Sequence, residues 1–258
     1  MDLHEDVYNW EIWFVERGWP SPKGLLMGLG SVLVAQIIVL LYYIARKIVL
    51  KSSTIRVSPP PPTTLAEDLR AHVTAPESFF MVFGYLCAVW MFKLLPDSYY
   101  DLTAGVNWLH VLYQFLVVDF WTYVDHLIEH NWPALYKISH KAHHKWINPK
   151  LYNAFNGSIL DTLSLILIPL FLTHQICRFV NTWSFIAFGT LYASQFTLIH
   201  CEFPHPWDGL FEMLGIGTAA DHNVHHMLFI YNYGHFFMYF DKLFGTYKSP
   251  HSVKRMQW

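Results

Sequence analysis

Eight of the sixteen histidines in this 258-residue chain fall into three short boxes. His126 and His130 stand four residues apart, so on a helix both imidazoles share one face and can serve one metal ion. His140, His143 and His144 form an HxxHH box whose positions also share a face, while its adjacent pair can splay toward two different ions. His222, His225 and His226 repeat that spacing later in the chain. A lone histidine pair on a helix is most often a satisfied polar pair; three boxes of this kind in one chain call for chemistry. His200, at the end of an apolar segment, is a natural ninth ligand.

Neutral imidazole suits zinc, copper, iron and nickel. Cys87, Cys177 and Cys201 are scattered, which gives neither a disulfide framework nor thiolate ligand spacing, so they read as packing residues. Nine nitrogens are too many for one ion. Two ions, each with four or five imidazoles and an open position, suit the binding and reduction of O2, whereas zinc could fill the cage without cycling electrons. Asp119, Asp125, Glu129 and Asp221 are placed to accept the second ring N–H of a ligand, as outer carboxylates do.

Lipid is the setting that must position these boxes. The chain is 53% hydrophobic and 14% charged, against about 25% charged in ordinary soluble domains. Residues 24–50 are almost wholly apolar and end in Arg46, Lys47, Lys51 and Arg56, which predicts a membrane helix with that end in the cytoplasm. Residues 78–95 and 102–123, separated by Pro96, Asp97 and Ser98, predict a hairpin, and residues 159–179 and 182–199 predict a second, with Pro169 kinking its first arm. The expected fold is therefore an all-α polytopic membrane protein, one crossing plus two hairpins, with a cytoplasmic histidine-rich metal-binding cap. The acidic, aromatic N-terminus shows no cleavable signal peptide, so the first apolar segment is expected to direct insertion. The proline run at 58–64 reads as a spacer, and the sequon at Asn156, on the cytoplasmic side, as chance. A net charge of −2 singles out no partner, and no nucleic acid is expected.

Box order and flanks resemble the fatty acid hydroxylase and sterol desaturase superfamily over roughly residues 110–250. The stretch DFWTYVDHLIEH is similar to the first box of that superfamily, and HHMLFIYNYGHFFMYFDKLFGTYKSP, from His225 to Pro250, resembles the end of C-5 sterol desaturases (lathosterol oxidases). The resemblance implies a catalytic domain over residues 65–258, preceded by residues 1–64 with the first membrane helix and linker. It implies two irons, O2, and electrons from NAD(P)H through a cytochrome b5-type carrier or reductase. It implies an endoplasmic reticulum membrane enzyme that hydroxylates or desaturates a sterol or related lipid, with metal ligands His126, His130, His140, His143, His144, His200, His222, His225 and His226, and, since some relatives carry two histidines there, His205 as a candidate tenth. Asn153 and Asn156 stand where C-5 desaturases resemble one another in a His-containing stretch, Asp221 where they tend to have His, and His235 where they tend to have Gln. These departures are similar in part to sphingolipid and alkylglycerol hydroxylases, which stay open as alternatives. A His-rich membrane metal-binding or transport protein is the rival from another class; transporters, however, hold their ligands near the bilayer midplane, often between internal repeats.

Overall fold

The computed structural model describes residues 22–56, 60, 62–73, 76–254 and 256; expectations for the N-terminus, part of the proline run and most of the last four residues lie outside them. The long helices are α1 (Pro22–Ile44), α2 (Leu65–Val73), α3 (Pro76–Met91) and α4 (Trp108–Asn131). The second half adds α5 (Pro133–Ile138), α6 (Ile159–Thr162), α7 (Ile168–Ile176), α8 (Thr182–Leu198), α9 (Asp208–Leu214), α10 (Ala219–Leu228) and α11 (Tyr239–Phe244). Among the described residues extended pairing is confined to two isolated bridges, Arg56 with Met256 and Ile216 with Phe237.

Apolar patterning explains how the rods pack. On α1, Ala35, Val39 and Tyr43 recur every four residues and are buried, while Leu33, Val34, Ile37, Ile38 and Leu41 stay exposed. The buried stripe meets α8, where Gln36 Nε2 donates to Thr197 Oγ1 at 3.0 Å. The arms of the two hairpins interleave: α4 packs against α7 and α8, and α3 against α1 and α6. Val89, Val118 and Phe188 are fully buried at these crossings, each such side chain contributing about 1.5–3 kcal/mol.

Pro169 has the local effect expected of it. Lacking an N–H, it cannot complete the bond to the carbonyl four residues back, and the chain widens into a π-helical turn over Leu163–Leu167 between α6 and α7. Through that turn, Ile159–Ile176 is the one helix among the described residues long and apolar enough to cross a bilayer, with mean hydropathy 1.6; Phe80–Trp90 is a shorter apolar helix. The five apolar segments of the sequence are thus helical, but length and composition single out one.

Both hairpin turns lie together. The Thr182 N–H donates to the Asp101 carbonyl at 3.1 Å, Thr182 Oγ1 to the Tyr99 carbonyl at 2.6 Å, and Asn181 Nδ2 to the Gly105 carbonyl at 2.8 Å. With the turns tied at one end of the bundle, the open ends, which carry the boxes, meet at the other. There the buried Arg56 donates to the Asn223 carbonyl at 2.6 Å and to its Oδ1 at 2.9 Å, binding the segment after α1 to the helix of the third box.

Candidate metal centre

Each box sits on a different kind of backbone. His126 and His130 lie one turn apart on α4. His140, His143 and His144 occupy a 3-10 turn, His140–Lys145, where the tighter winding still gathers them on one side. His222, His225 and His226 ride α10, started by Thr218 and Asp221 in a reciprocal cap: the Asp221 N–H donates to Thr218 Oγ1 at 3.2 Å and the Thr218 N–H to Asp221 Oδ2 at 3.0 Å.

All nine expected imidazoles converge, in two groups. His126, His130, His140, His144 and His225 form one, and His143, His200, His222 and His226 the other; in each, the candidate ligand atoms lie within 4.8 Å of one another. The adjacent pairs part company, His143 from His144 and His226 from His225, so that each HxxHH box serves both groups. His205 belongs to neither. Its Nδ1 pairs with the Tyr42 hydroxyl at 2.8 Å and its Nε2 donates to the Leu198 carbonyl at 3.2 Å, which commits both nitrogens elsewhere.

Tautomers decide whether the groups fit a metal. A carbonyl oxygen only accepts, so Nδ1 must carry the proton where it meets one. That holds for His126 against Tyr233 (2.7 Å), His143 against Asn156 (3.1 Å), His200 against Phe196 (2.8 Å) and His225 against Tyr231 (2.8 Å). Their Nε2 atoms then present lone pairs. Yet Nε2 of His143 stands 3.2 Å from Nε2 of His200, two lone pairs facing with no proton to share. Other facing Nε2 pairs are 2.9–3.1 Å apart: His126 with His140, His130 with His144, His222 with His200. Neighbouring ligands about 2.1 Å from one ion, at right angles, are separated by about 3.0 Å. The spacing therefore fits metal ligation, and the donor sets, five and four imidazoles with no thiolate, fit a redox metal such as iron.

Burial favours the neutral, metal-binding form throughout. It lowers His143 to about 4, and with neighbouring histidines it lowers His130 to about 3. His126, His200, His222, His225 and His226 are held well below the usual histidine range by burial and by one another. In the iron-free protein the unfolded chain takes up protons below about pH 6.5 while the folded His143 stays neutral to about 4, so stability falls as pH drops through that window. Each such histidine contributes a slope of about 1.4 kcal/mol per pH unit. Buried carboxylates such as Asp208 and Asp241, raised by burial to about 6, act in the opposite direction, so the test is a difference: between pH 6.5 and 4.5 the heat-unfolding midpoint of chelator-treated wild type should fall more steeply than that of chelator-treated His143→Ala, and equal slopes would contradict this.

Of the four expected carboxylates Glu129 does lie by a box ring, His140, whereas Asp119 and Asp221 correct the expectation. Asp119 accepts not from a ring but from the backbone N–H groups of His235 (3.2 Å), Phe236 (2.7 Å) and Phe237 (3.0 Å), pinning the loop after α10. Asp221 is occupied as the cap of α10. Both were read from proximity in sequence, whereas loop amides and a helix start reach them first. The carboxylate nearest the His140 ring is Asp161, whose Oδ1 lies 2.6 Å from His140 Nδ1, with Glu129 Oε2 at 3.5 Å. Asp161 lies beyond the second box at the head of α6, and no spacing rule points to it. Asp161→Asn should lower the iron affinity of the five-imidazole group about 10–100-fold, the usual effect of losing an outer partner. Chelator competition measures it, and an unchanged affinity would remove the role.

Two more features escaped the sequence reading. The Tyr-Asn-Tyr-Gly run works through its backbone: the Tyr231 and Tyr233 carbonyls receive the His225 and His126 rings, and the Gly234 N–H donates to Asp241 Oδ2 at 2.7 Å, where any side chain would collide with the Phe237 carbonyl. His235 stands between the groups, its ring centroid 5.2 Å from that of His126 and 5.4 Å from that of His222. It is buried, and burial lowers it to about 3. Asn153 and Asn156 join neither group; the Asn156 carbonyl orients His143.

An apolar cleft runs between α3, α7 and α8. A smaller pocket, walled by His140, His143 and His235, shares Phe155, Ile166 and Phe196 with it, so the cleft ends against the histidine cage. The arrangement can present an apolar chain to a metal pair.

A family model described as fatty acid hydroxylase matches residues 111–246. The alternative squalene epoxidase of Phaeodactylum tricornutum is 42% identical over 235 residues, 90% of this chain and 68% of that protein. The Delta(7)-sterol 5(6)-desaturase of Eremothecium gossypii is 35% identical over 152 residues, 55% of this chain and 38% of that protein. A cholesterol 25-hydroxylase-like protein of Danio rerio is 32% identical over 167 residues, 58% of this chain and 61% of its own length. The chain thus spans less than two thirds of the latter two. No solved structure matches.

Proposed function

This chain belongs to the fatty acid hydroxylase family and is an oxygen-dependent lipid oxidoreductase, and from that premise we propose that it transfers one oxygen atom from O2 to an isoprenoid lipid, with epoxidation of a squalene-type polyene as the leading reaction. The observation that carries the reading is the apolar cleft ending on two groups of imidazoles whose Nε2 lone pairs face one another. A relative that aligns over 90% of the chain is a squalene epoxidase, which favours the polyene. A sterol-type substrate, hydroxylated or desaturated, is the second reading, favoured by the desaturase-like last box.

In this reading two irons, held by the five- and four-imidazole groups, supply the reduction of O2. The balance is alkene + O2 + two electrons + two protons giving epoxide + water, with the electrons from NAD(P)H through a cytochrome b5-type carrier or reductase. The protein's part is positioning. Backbone carbonyls and Asp161 fix the tautomers of His126, His140, His143, His200 and His225 so that their Nε2 atoms are free to bind, Phe155 and Phe196 hold the reacting carbon against the cage, and the apolar wall excludes water. The exposed apolar faces of α1, α4 and α7 suit hydrocarbon better than water. They support a membrane protein that admits lipid sideways; in this reading the boxes lie on the cytoplasmic face of the endoplasmic reticulum. The test is purified protein assayed for iron, then given O2, a reductase chain and squalene, sterol, sphingoid and alkylglycerol lipids. Iron-dependent epoxide is the expected product; zinc occupancy with no product from any lipid would sink the reading, including both alternative hydroxylases.

A further inference from the structure

His174 lies far from the cage and plays no part in it. It is 1% exposed and lines the apolar cleft near the C-terminal end of α7. Its Nδ1 is 2.9 Å from the Tyr85 hydroxyl, and its Nε2 has no hydrogen-bond partner. With the phenol O–H donating to Nδ1, Nε2 keeps its proton, and a bare N–H is left in a largely apolar lining whose other side-chain polar groups are the hydroxyls of Tyr85 and Tyr192. A buried donor without an acceptor is unfavourable and rare, and one lining a cavity marks where a ligand atom belongs.

Its place along the cleft can be measured. The His174 ring is 5.0 Å from the ring of Phe185, near the start of α8, whereas the Phe196 ring is 5.4 Å from that of His200 and 5.5 Å from that of His235. Phe185 and Phe196 both line the cleft and lie eleven residues apart on α8, about 16 Å at 1.5 Å per residue. The cleft therefore has a reactive end at the imidazole cage and the His174–Tyr85 pair at the other, a separation comparable with the length of a sterol.

We propose that His174, set by Tyr85, is an anchor for the oxygen at one end of an isoprenoid lipid whose other end reaches the metal centre. The chemistry is one lipid oxygen accepting from Nε2–H, either a hydroxyl or an epoxide oxygen. A hydroxyl could also donate if the imidazole took the opposite tautomer. The anchor favours a singly oxygenated isoprenoid over the hydrocarbon of the same skeleton. This rests on the lipid-oxidase reading, with a substrate that already carries one oxygen at the far end, for the direction of the chain, but not for the binding preference itself.

The experiment is equilibrium binding of radiolabelled lipids to the iron-loaded protein in nanodiscs, using two pairs: cholesterol with cholestene, the same skeleton lacking the hydroxyl, and oxidosqualene with squalene. In wild type the oxygenated member of at least one pair should bind about threefold to tenfold more tightly, the range of one added hydrogen bond. The pair that shows the preference identifies the oxygen. His174→Phe, which keeps the ring contacts with Tyr85, Tyr99 and Phe185, should erase the difference while leaving hydrocarbon binding within about twofold. Tyr85→Phe, leaving His174 free to rotate, should reduce it. Equal binding within both wild-type pairs, or a preference that survives His174→Phe, would overturn the anchor. If no lipid is oxidised but the preference depends on His174, the anchor stands and the oxidase reading is what fails.

Discussion

Replacing His143 by alanine should reduce bound iron from about two ions per chain to about one and lower turnover by at least about 100-fold, while the protein still inserts and folds. His143 belongs to the four-imidazole group, and three nitrogens in a cavity the size of the lost ring hold an ion poorly. Losing an outer partner alone costs 10–100-fold, so a direct ligand sets a larger effect. His225→Ala should give the mirror result, stripping the five-imidazole group and sparing the other. His205→Ala is the internal control: it loses bonds to Tyr42 and the Leu198 carbonyl but no metal contact, so iron content should stay at about two. Iron analysis of the three purified variants decides the matter. Full iron and full turnover in His143→Ala would dismantle the proposed cage.

Asp119→Ala should be among the most destabilising single changes that touch no ligand. It removes one acceptor from three consecutive backbone N–H groups, and each buried donor left unpaired costs about 1–3 kcal/mol. Allowing for partial recovery by water, the loss should be about 4 kcal/mol, a large share of the 5–15 kcal/mol typical of a domain. The released loop carries His235 beside both groups, and Phe236, whose ring stacks on Phe115 at 3.8 Å. Heat unfolding should therefore shift down, with iron lost at lower temperature. Asp119→Asn keeps the Oδ1 acceptor but turns an amide toward the Phe237 N–H, and should cost less. An alanine variant as stable as wild type would show that the loop is held by its other contacts.

The histidine spacing was legible because ligand chemistry and helical geometry are both local: HxxxH and HxxHH place imidazoles on one side whether the backbone is α4, α10 or a 3-10 turn. The splay of adjacent histidines toward two ions follows from the same local geometry. Helical apolar segments are local for the same reason; Pro169 reads as a kink, and in the structure a π-helical turn precedes it. What failed to read locally was partnership. Asp119 and Asp221 lie close to boxes in sequence and serve loop amides and a helix cap instead, while Asp161, outside every box, reaches His140 because α6 folds back over the second box. His205 looks like a ligand beside His200, but the turn after α8 aims it at Tyr42.

By itself, then, the sequence determined a helical, lipid-suited chain with nine imidazoles in ligand spacing, since composition, period and donor type are properties of short segments. Only the tertiary structure decided the division into five and four, the carbonyls of Tyr231, Tyr233, Asn156 and Phe196 that fix the tautomers, and the cleft joining His174 to the cage. Those are contacts between residues up to more than a hundred positions apart, such as His126 with Tyr233. They exist because the two hairpin turns tie together at one end and bring the boxes to meet at the other.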